Sequence, residues 1–437
     1  MLHLNTTGLV RKSLLLSLVL AGIASCSDNK STSVKSEAGG TNANLSPAEV
    51  HEASLVLDAH ADIVIPSTSK AYMSVDGTSK VDLAKMRAGG VDAVVMSVAV
   101  GPGPRTELGD AAARAEADEK LAAVHALVEK SQGQAVIATT SSEIIAAHEA
   151  GKSVYILGFQ NARSLQGNVS TIDEFYAEGI RIFGLNHLGH NAFSDSSRPE
   201  FSSETGAFEV TEEHGGLSPL GIAAVKRINA LGALVDVSQL SKAATLQVLE
   251  LSSSPIIASH SNAKTVSDVT RNLSDEEIDR IGENGGVIHV AAFKGYLINI
   301  SEPEFIEKLV ALRMAAGISV EYNYPFELYW EIDDLAERSA FTTAVSELLG
   351  PATIDNMIEH IDYIVDRIGI NHVGIGNDFN HGSGIDDYND ASEAMNLTAG
   401  LLKRGYSIND INKIWSGNFL RILDAAAANW TALPRPL

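Results

Sequence analysis

Residues 234–260 read LVDVSQLSKAATLQVLELSSSPIIASH, and they contain one whole unit of a parallel fold. Leu234 to Val237 is a short apolar run, Lys242 to Leu251 repeats its apolar residues at helical spacing, and Pro255 to Ala258 is apolar again. Strand, helix and strand in that order form a crossover within one parallel sheet. The alternation continues outward on both sides. Further strands are expected at about Ser54 to Asp58, Asp92 to Val98, Val154 to Gly158, Arg181 to Leu185, Gly286 to Val290 and His372 to Gly376. Helices are expected at Ala111 to Ser131, Pro219 to Leu231, Asp275 to Glu283 and Thr353 to Ile368. Eight strands with helical crossovers predict an α/β fold, a (β/α)8 TIM-like barrel. A ninth run, Ala135 to Ala138, reads as an extra strand or a piece of a crossover. Two insertions, 191–217 and 291–350, are expected over the C-terminal mouth. The second carries Tyr322, Tyr324, Phe326, Tyr329 and Trp330, which read equally as a lid, a dimer surface or ordinary packing.

Composition narrows the classes of function. The chain has 437 residues, of which 45% are hydrophobic, so it can bury a large core. Its 32 Lys and Arg against 55 Asp and Glu give a net charge of −23, which argues against a nucleic-acid partner because phosphate binding needs clustered cations. A single Cys permits no internal disulfide. Arg11 and Lys12 precede the apolar run Leu14 to Ile23, and Ile23-Ala24-Ser25-Cys26 resembles a bacterial lipobox. The organisation expected is a lipoprotein signal peptide at 1–25, a flexible tether at 26–48 and a barrel domain at 49–437. Cys26 would carry lipid, anchoring the protein to the bacterial cell envelope and facing the periplasm or the outside. The lipid would be its sole membrane attachment, because no later segment reaches the length of a spanning helix.

The ionisable residues fall at the ends of the expected strands. His60 and Asp62 follow the first, Gln160 the third, His187 the fourth, Gln239 the fifth, His260 the sixth and Asp378 the eighth. A barrel gathers such residues at one mouth. In His60-Ala61-Asp62 the two side chains lie on one side of an extended backbone, where imidazole and carboxylate can share an ion. An H-x-D triplet alone is a weak signal, and Asp378 reads equally as a helix N-cap. The agreement in position of all these groups points to a metal site.

These residues and their neighbours resemble the membrane (renal-type) dipeptidase family of zinc peptidases, in the amidohydrolase superfamily. The similarity rests on Leu57-Asp58-Ala59-His60-Ala61-Asp62, Leu185-Asn186-His187, Gly216-Leu217-Ser218-Pro219, Pro255 to Ser261, Arg271-Asn272-Leu273 and His372 to Phe379. It implies that His60 and Asp62 bind a first zinc and that His260 is one of two histidines for a second. Asp378 would handle protons beside the metal, and His187 and Arg271 would bind a small peptide or amide substrate. Arg271 suits a carboxylate because its fork can hold both oxygens. The family is also often dimeric, which makes a homodimer possible.

Two ligand positions depart from that pattern. Gln160 stands where the family has a bridging Glu, and Gln239 where it has the other histidine of the second ion. Two divalent ions about 3.5 Å apart repel by roughly 19 kcal/mol at an effective dielectric of about 20, so the loss of a bridging anion matters. One zinc rather than two is therefore expected, held by some combination of His60, Asp62, His260 and Asp378. The reading is a metal-dependent hydrolase of dipeptides or related small amides. The alternative is a catalytically degenerate lipoprotein that binds small peptides or metabolites. His190 reads as loop structure, or as a compensating ligand.

Overall fold

Eight parallel strands form a ring in the computed structural model, which describes residues 45–202, 207–318, 320, 332 and 334–431. They are β1 Leu57–Asp62, β2 Ala93–Ala99, β3 Ser153–Gln160, β4 Ile180–Gly184, β5 Leu234–Asp236, β6 Ile257–Ala258, β7 Val287–Val290 and β8 Val373–Ile375. Each pairs with the next in chain order. The ring nearly closes just beyond β8, where the Asp378 amide donates to the His60 carbonyl at 3.1 Å and the Asp62 amide to the Phe379 carbonyl at 2.9 Å. Ala135–Ile137 is an extra parallel strand that pairs with the first residues of β3, below the point where β4 takes over. Helices Glu107–Lys130, Pro219–Ala230, Lys242–Leu251, Asp275–Asn284 and Ile354–Ile368 lie where helical spacing places them. Among the described residues no helix is long and apolar enough to cross a membrane.

Alternation along the strands makes two apolar layers. Leu57, Ala59, Ala93, Val95, Val154 and Ile156 belong to an inner cluster, with Ile182, Leu234, Ile257 and Val287. Val94, Met96, Tyr155, Leu157, Phe183 and Val235 belong to the outer one, against the helices. Phe419, Ile422, Leu423 and Ala426 of the helix Asn418–Ala427 join the inner cluster beside Leu57, Ala93 and Val154 from the starts of the strands. Burying Phe419, Ile422 and Leu423 contributes about 1.5–3 kcal/mol each. The apolar plug at that end leaves the polar chemistry to the other.

Some boundaries differ from the sequence-based expectation for local reasons. The first strand starts at Leu57, because Ser54 follows the helix Pro47–Glu52 and its Oγ bonds back to the Val50 carbonyl. It also runs on to Asp62, so His60 and Asp62 are strand residues and not loop residues. That helix opens with a Ser46–Glu49 capping box, inside the stretch expected to be tether. The insertion at 191–217 holds a two-stranded ribbon, Phe201–Ser202 with Ala207–Phe208. The one at 291–350 holds the helices Lys294–Leu297, Pro303–Ala315 and Leu335–Leu349. The expected signal peptide, most of the tether with Cys26, and the aromatic residues Tyr322, Tyr324, Phe326, Tyr329 and Trp330 lie outside the described residues.

Candidate metal centre

The backbone is bent in several places to bring the polar residues to the mouth. The β1–β2 pairing shifts register between Asp58 and Ala61. Leu57 and Ala59 lie in the inner apolar cluster but Ala61 lies in the outer one, so this irregularity turns His60 and Asp62 toward the mouth. Beyond β8 the chain passes so close to β6 that a Cβ on Gly376 would lie 1.8 Å from the Ser259 carbonyl oxygen, and only glycine fits. Asp378 follows at φ +61° and Gln239 has φ +72°. Left-handed backbone at non-glycine residues costs free energy and collects at functional sites. Asp378 is therefore a strained turn residue, not a helix N-cap.

A carboxylate behind the site sets the histidine tautomers. Ser259 Oγ donates to Asp236 Oδ2 at 2.5 Å, which leaves Oγ to accept. His260 Nδ1 lies 2.7 Å and His60 Nδ1 3.3 Å from that same Oγ. Each ring then carries its proton on Nδ1, and both Nε2 atoms present their lone pairs to the mouth. The rings stack with centroids 3.8 Å apart.

On the β1 and β8 side the polar atoms call for a cation. His60 Nε2 is 3.4 Å from Asp62 Oδ1 and 3.9 Å from Asp378 Oδ1. His60 Nε2, Asp62 Oδ1 and Asp378 Oδ2 are buried with no hydrogen-bond partner. A buried polar atom left that way costs about 1–3 kcal/mol, more if charged. Burial raises the pKa of Asp378, and the charge of Asp62 adds to the rise. Burial opposes ionisation of Asp62 too, but a hydrogen bond from His381, and one that His60 can make only when protonated on Nε2, outweigh it and hold its carboxyl well below the usual range. Burial opposes protonation of His60, yet the bond to Asp62 and the charge of Asp378 outweigh it and raise its pKa. Either a proton or a metal ion on His60 Nε2 answers these carboxylates. His60, His260 and Asp378 offer ligand atoms that all lie within 4.8 Å of one another, so this donor set fits one divalent ion.

The β3 and β5 side is built differently. Gln160 Nε2 and Gln239 Nε2 each lie 3.4 Å from His260 Nε2. Arg198 Nη2 donates to Gln239 Oε1 at 2.6 Å, which fixes that carboxamide with its NH2 toward His260. An NH2 has no lone pair to offer a metal, so Gln239 as held here turns no ligand atom toward His260.

The other expected site residues also gather at the mouth. His187 is buried, its Nδ1 has no partner, and burial, then His381 and Arg198, push its pKa well below the usual histidine value. Arg271 is buried, donating from Nη1 to Ser261 Oγ (3.1 Å) and from Nη2 to the His260 carbonyl (2.5 Å), with Nε unpartnered. Two of its three nitrogens are therefore taken up by the His260 carbonyl and the Ser261 hydroxyl. His190 is loop structure, with Nε2 2.7 Å from the Val210 carbonyl and Nδ1 accepting from the Ser196 amide.

Two residues at the site were not anticipated. His381 Nδ1 lies 3.2 Å from Asp62 Oδ2, and its ring meets His187 edge-on at 4.6 Å. Arg198 comes from the 191–217 insertion, whose lack of periodicity hides its direction. His381 could have been noticed, three residues after Asp378 and on the same strand-end turn.

A sequence model of the membrane dipeptidase family, peptidase family M19, matches residues 46–435. The probable dipeptidase PvdM from Pseudomonas aeruginosa is a similar solved structure, with 33% identity, a TM-score of 0.78, and coverage of 88% of this chain and 98% of that one. Dipeptidase verJ of Clonostachys rogersoniana is 29% identical over 311 residues, 70% of this chain and 64% of the relative. Dipeptidase tcpJ of Claviceps purpurea (strain 20.1) is 26% identical over 371 residues, 82% of this chain and 73% of the relative.

Proposed function

The chain belongs to the membrane dipeptidase family, and on that premise we propose that it hydrolyses dipeptides or related small amides with one divalent ion, zinc. His60, Asp62, His260 and Asp378 would hold the ion. The observation that carries this reading is the group of buried atoms without partners, His60 Nε2, Asp62 Oδ1 and Asp378 Oδ2, on one side of the mouth. When bound, such an ion lowers the pKa of water toward about 7 and polarises a carbonyl.

The chain's own groups supply the rest. Asp378, through the carboxyl oxygen that does not hold the ion, is suited to take a proton and pass it to the leaving amine. His187, kept neutral, can donate a hydrogen bond to the oxygen on which negative charge develops. Arg271 offers its unpartnered Nε–H to the substrate carboxylate while its other nitrogens stay on His260 and Ser261. Lipid on Cys26 would place this mouth in the cell envelope, outside the cytoplasm, and a homodimer is compatible with it.

The two glutamines favour a second reading, a binding protein for small peptides in which hydrolysis has been lost. A dipeptide panel assayed with and without added zinc separates the two. Zinc-dependent turnover abolished by His60→Ala is the expected result. Stoichiometric peptide binding with no turnover at any zinc concentration would leave the binding protein instead.

A further inference from the structure

Arg198 is an unusual residue to find beside a metal centre. It is 3% exposed, and it is held at several points. Its amide donates to Ser196 Oγ at 3.1 Å, its carbonyl accepts from the Gly189 amide at 2.9 Å, and its Nη1 lies 3.4 Å from the Tyr296 hydroxyl. Its Nη2 takes the Oε1 of Gln239 at 2.6 Å. A carboxamide has one metal-binding atom, its oxygen, and here that atom is turned toward a guanidinium. What Gln239 shows to His260 is an N–H donor, as Gln160 does from the next strand but one. A guanidinium is always protonated, and at this distance it disfavours a divalent ion on the same carboxamide.

We infer that Arg198 is the positioning residue that closes the second-ion position: it clamps Gln239 with the oxygen turned to the guanidinium and the NH2 toward His260, so that the carboxamide offers no ligand atom there. The inference rests on the single-ion reading above and adds a cause to it. Substituted ligands alone would leave a weak second site, open to a metal once a bridging anion is supplied. The clamp keeps it shut.

The test is zinc counted per chain by mass spectrometry after loading and dialysis, with circular dichroism as a check on folding. Unmodified protein should bind one. Gln160→Glu restores a bridging carboxylate but leaves the clamp, and should still bind one. Gln160→Glu with Arg198→Met frees the Gln239 oxygen and should bind two, with second-ion affinity raised by more than about tenfold. Two ions in Gln160→Glu with Arg198 intact would overturn the clamp while leaving the single-ion reading standing. Two ions in the unmodified protein would instead overturn the single-ion reading itself. If the double variant does not fold, calorimetric zinc titration of Gln160→Glu alone decides the matter: one binding event supports the clamp, and a second, micromolar event refutes it.

Discussion

The two sides of the barrel mouth hold the same kinds of atom in opposite states. At the ends of β1 and β8, buried acceptors on His60, Asp62 and Asp378 have no donors. At the ends of β3 and β5, the amides of Gln160 and Gln239 turn donors toward His260, and the Gln239 oxygen is already taken by Arg198. Buried polar groups must be paired with something. On the proposed reading one side takes a cation and the other is occupied by protein donors, and that contrast carries more information than counting ligand residue types.

The contrast breaks most visibly if its incomplete side is removed. His60→Ala or Asp62→Ala should abolish zinc retention and lower kcat/KM for dipeptides by about a thousandfold or more, measured by metal analysis and steady-state assay. Zinc held at full stoichiometry by His60→Ala would show that the acceptors do not need the ion. A smaller effect is expected one layer out, where Asp236 holds the Ser259 proton and so sets both imidazole tautomers. Ser259→Ala or Asp236→Asn should weaken zinc affinity by about 10–100-fold with the fold retained, in a competition titration against a chelating dye. On the complete side, Gln160→Met should change zinc affinity by less than about threefold, because nothing there is held to the ion. A larger loss would make Gln160 a ligand.

The smallest effect belongs to the insertion that supplies Arg198. Burial, and then the neighbouring charge of Glu209, raise the pKa of Glu200 to about 7. A carboxyl with a raised folded pKa binds its proton more tightly folded than unfolded. Its contribution to stability is then fully present below the unfolded value of about 4.3 and is lost as pH rises to about 7. Thermal melts of Glu200→Gln across that window should fall less with pH than those of the unmodified chain, and parallel slopes would remove Glu200 from the explanation.

Much of this was legible in the sequence. Strands buried on both faces of a parallel sheet need near-continuous apolar runs, so Val154 to Gly158 stands out without any structure, as does Gly286 to Val290 with His289 its one polar residue. His60, Asp62, His260 and Asp378 were identifiable because strand ends in a barrel share one mouth. The bend that aims His60 and Asp62 was not, since a register shift at Asp58 to Ala61 leaves no mark on composition. Asp236 and Ser259 sit within recognisable stretches, but their task depends on a hydrogen bond across 23 residues. Arg198 was hidden for a stronger reason: its insertion has no periodicity from which a direction could be read, and only coordinates bring its guanidinium to Gln239.

The most direct measurement is anomalous diffraction at the zinc edge from crystals of the zinc-loaded protein. A single peak is expected, about 2.0–2.1 Å from His60 Nε2 and in bonding contact with Asp62, with no density on Gln239. Two peaks about 3.5 Å apart, or none among these residues, would contradict a mouth built with one side for a metal ion and the other already closed by the protein.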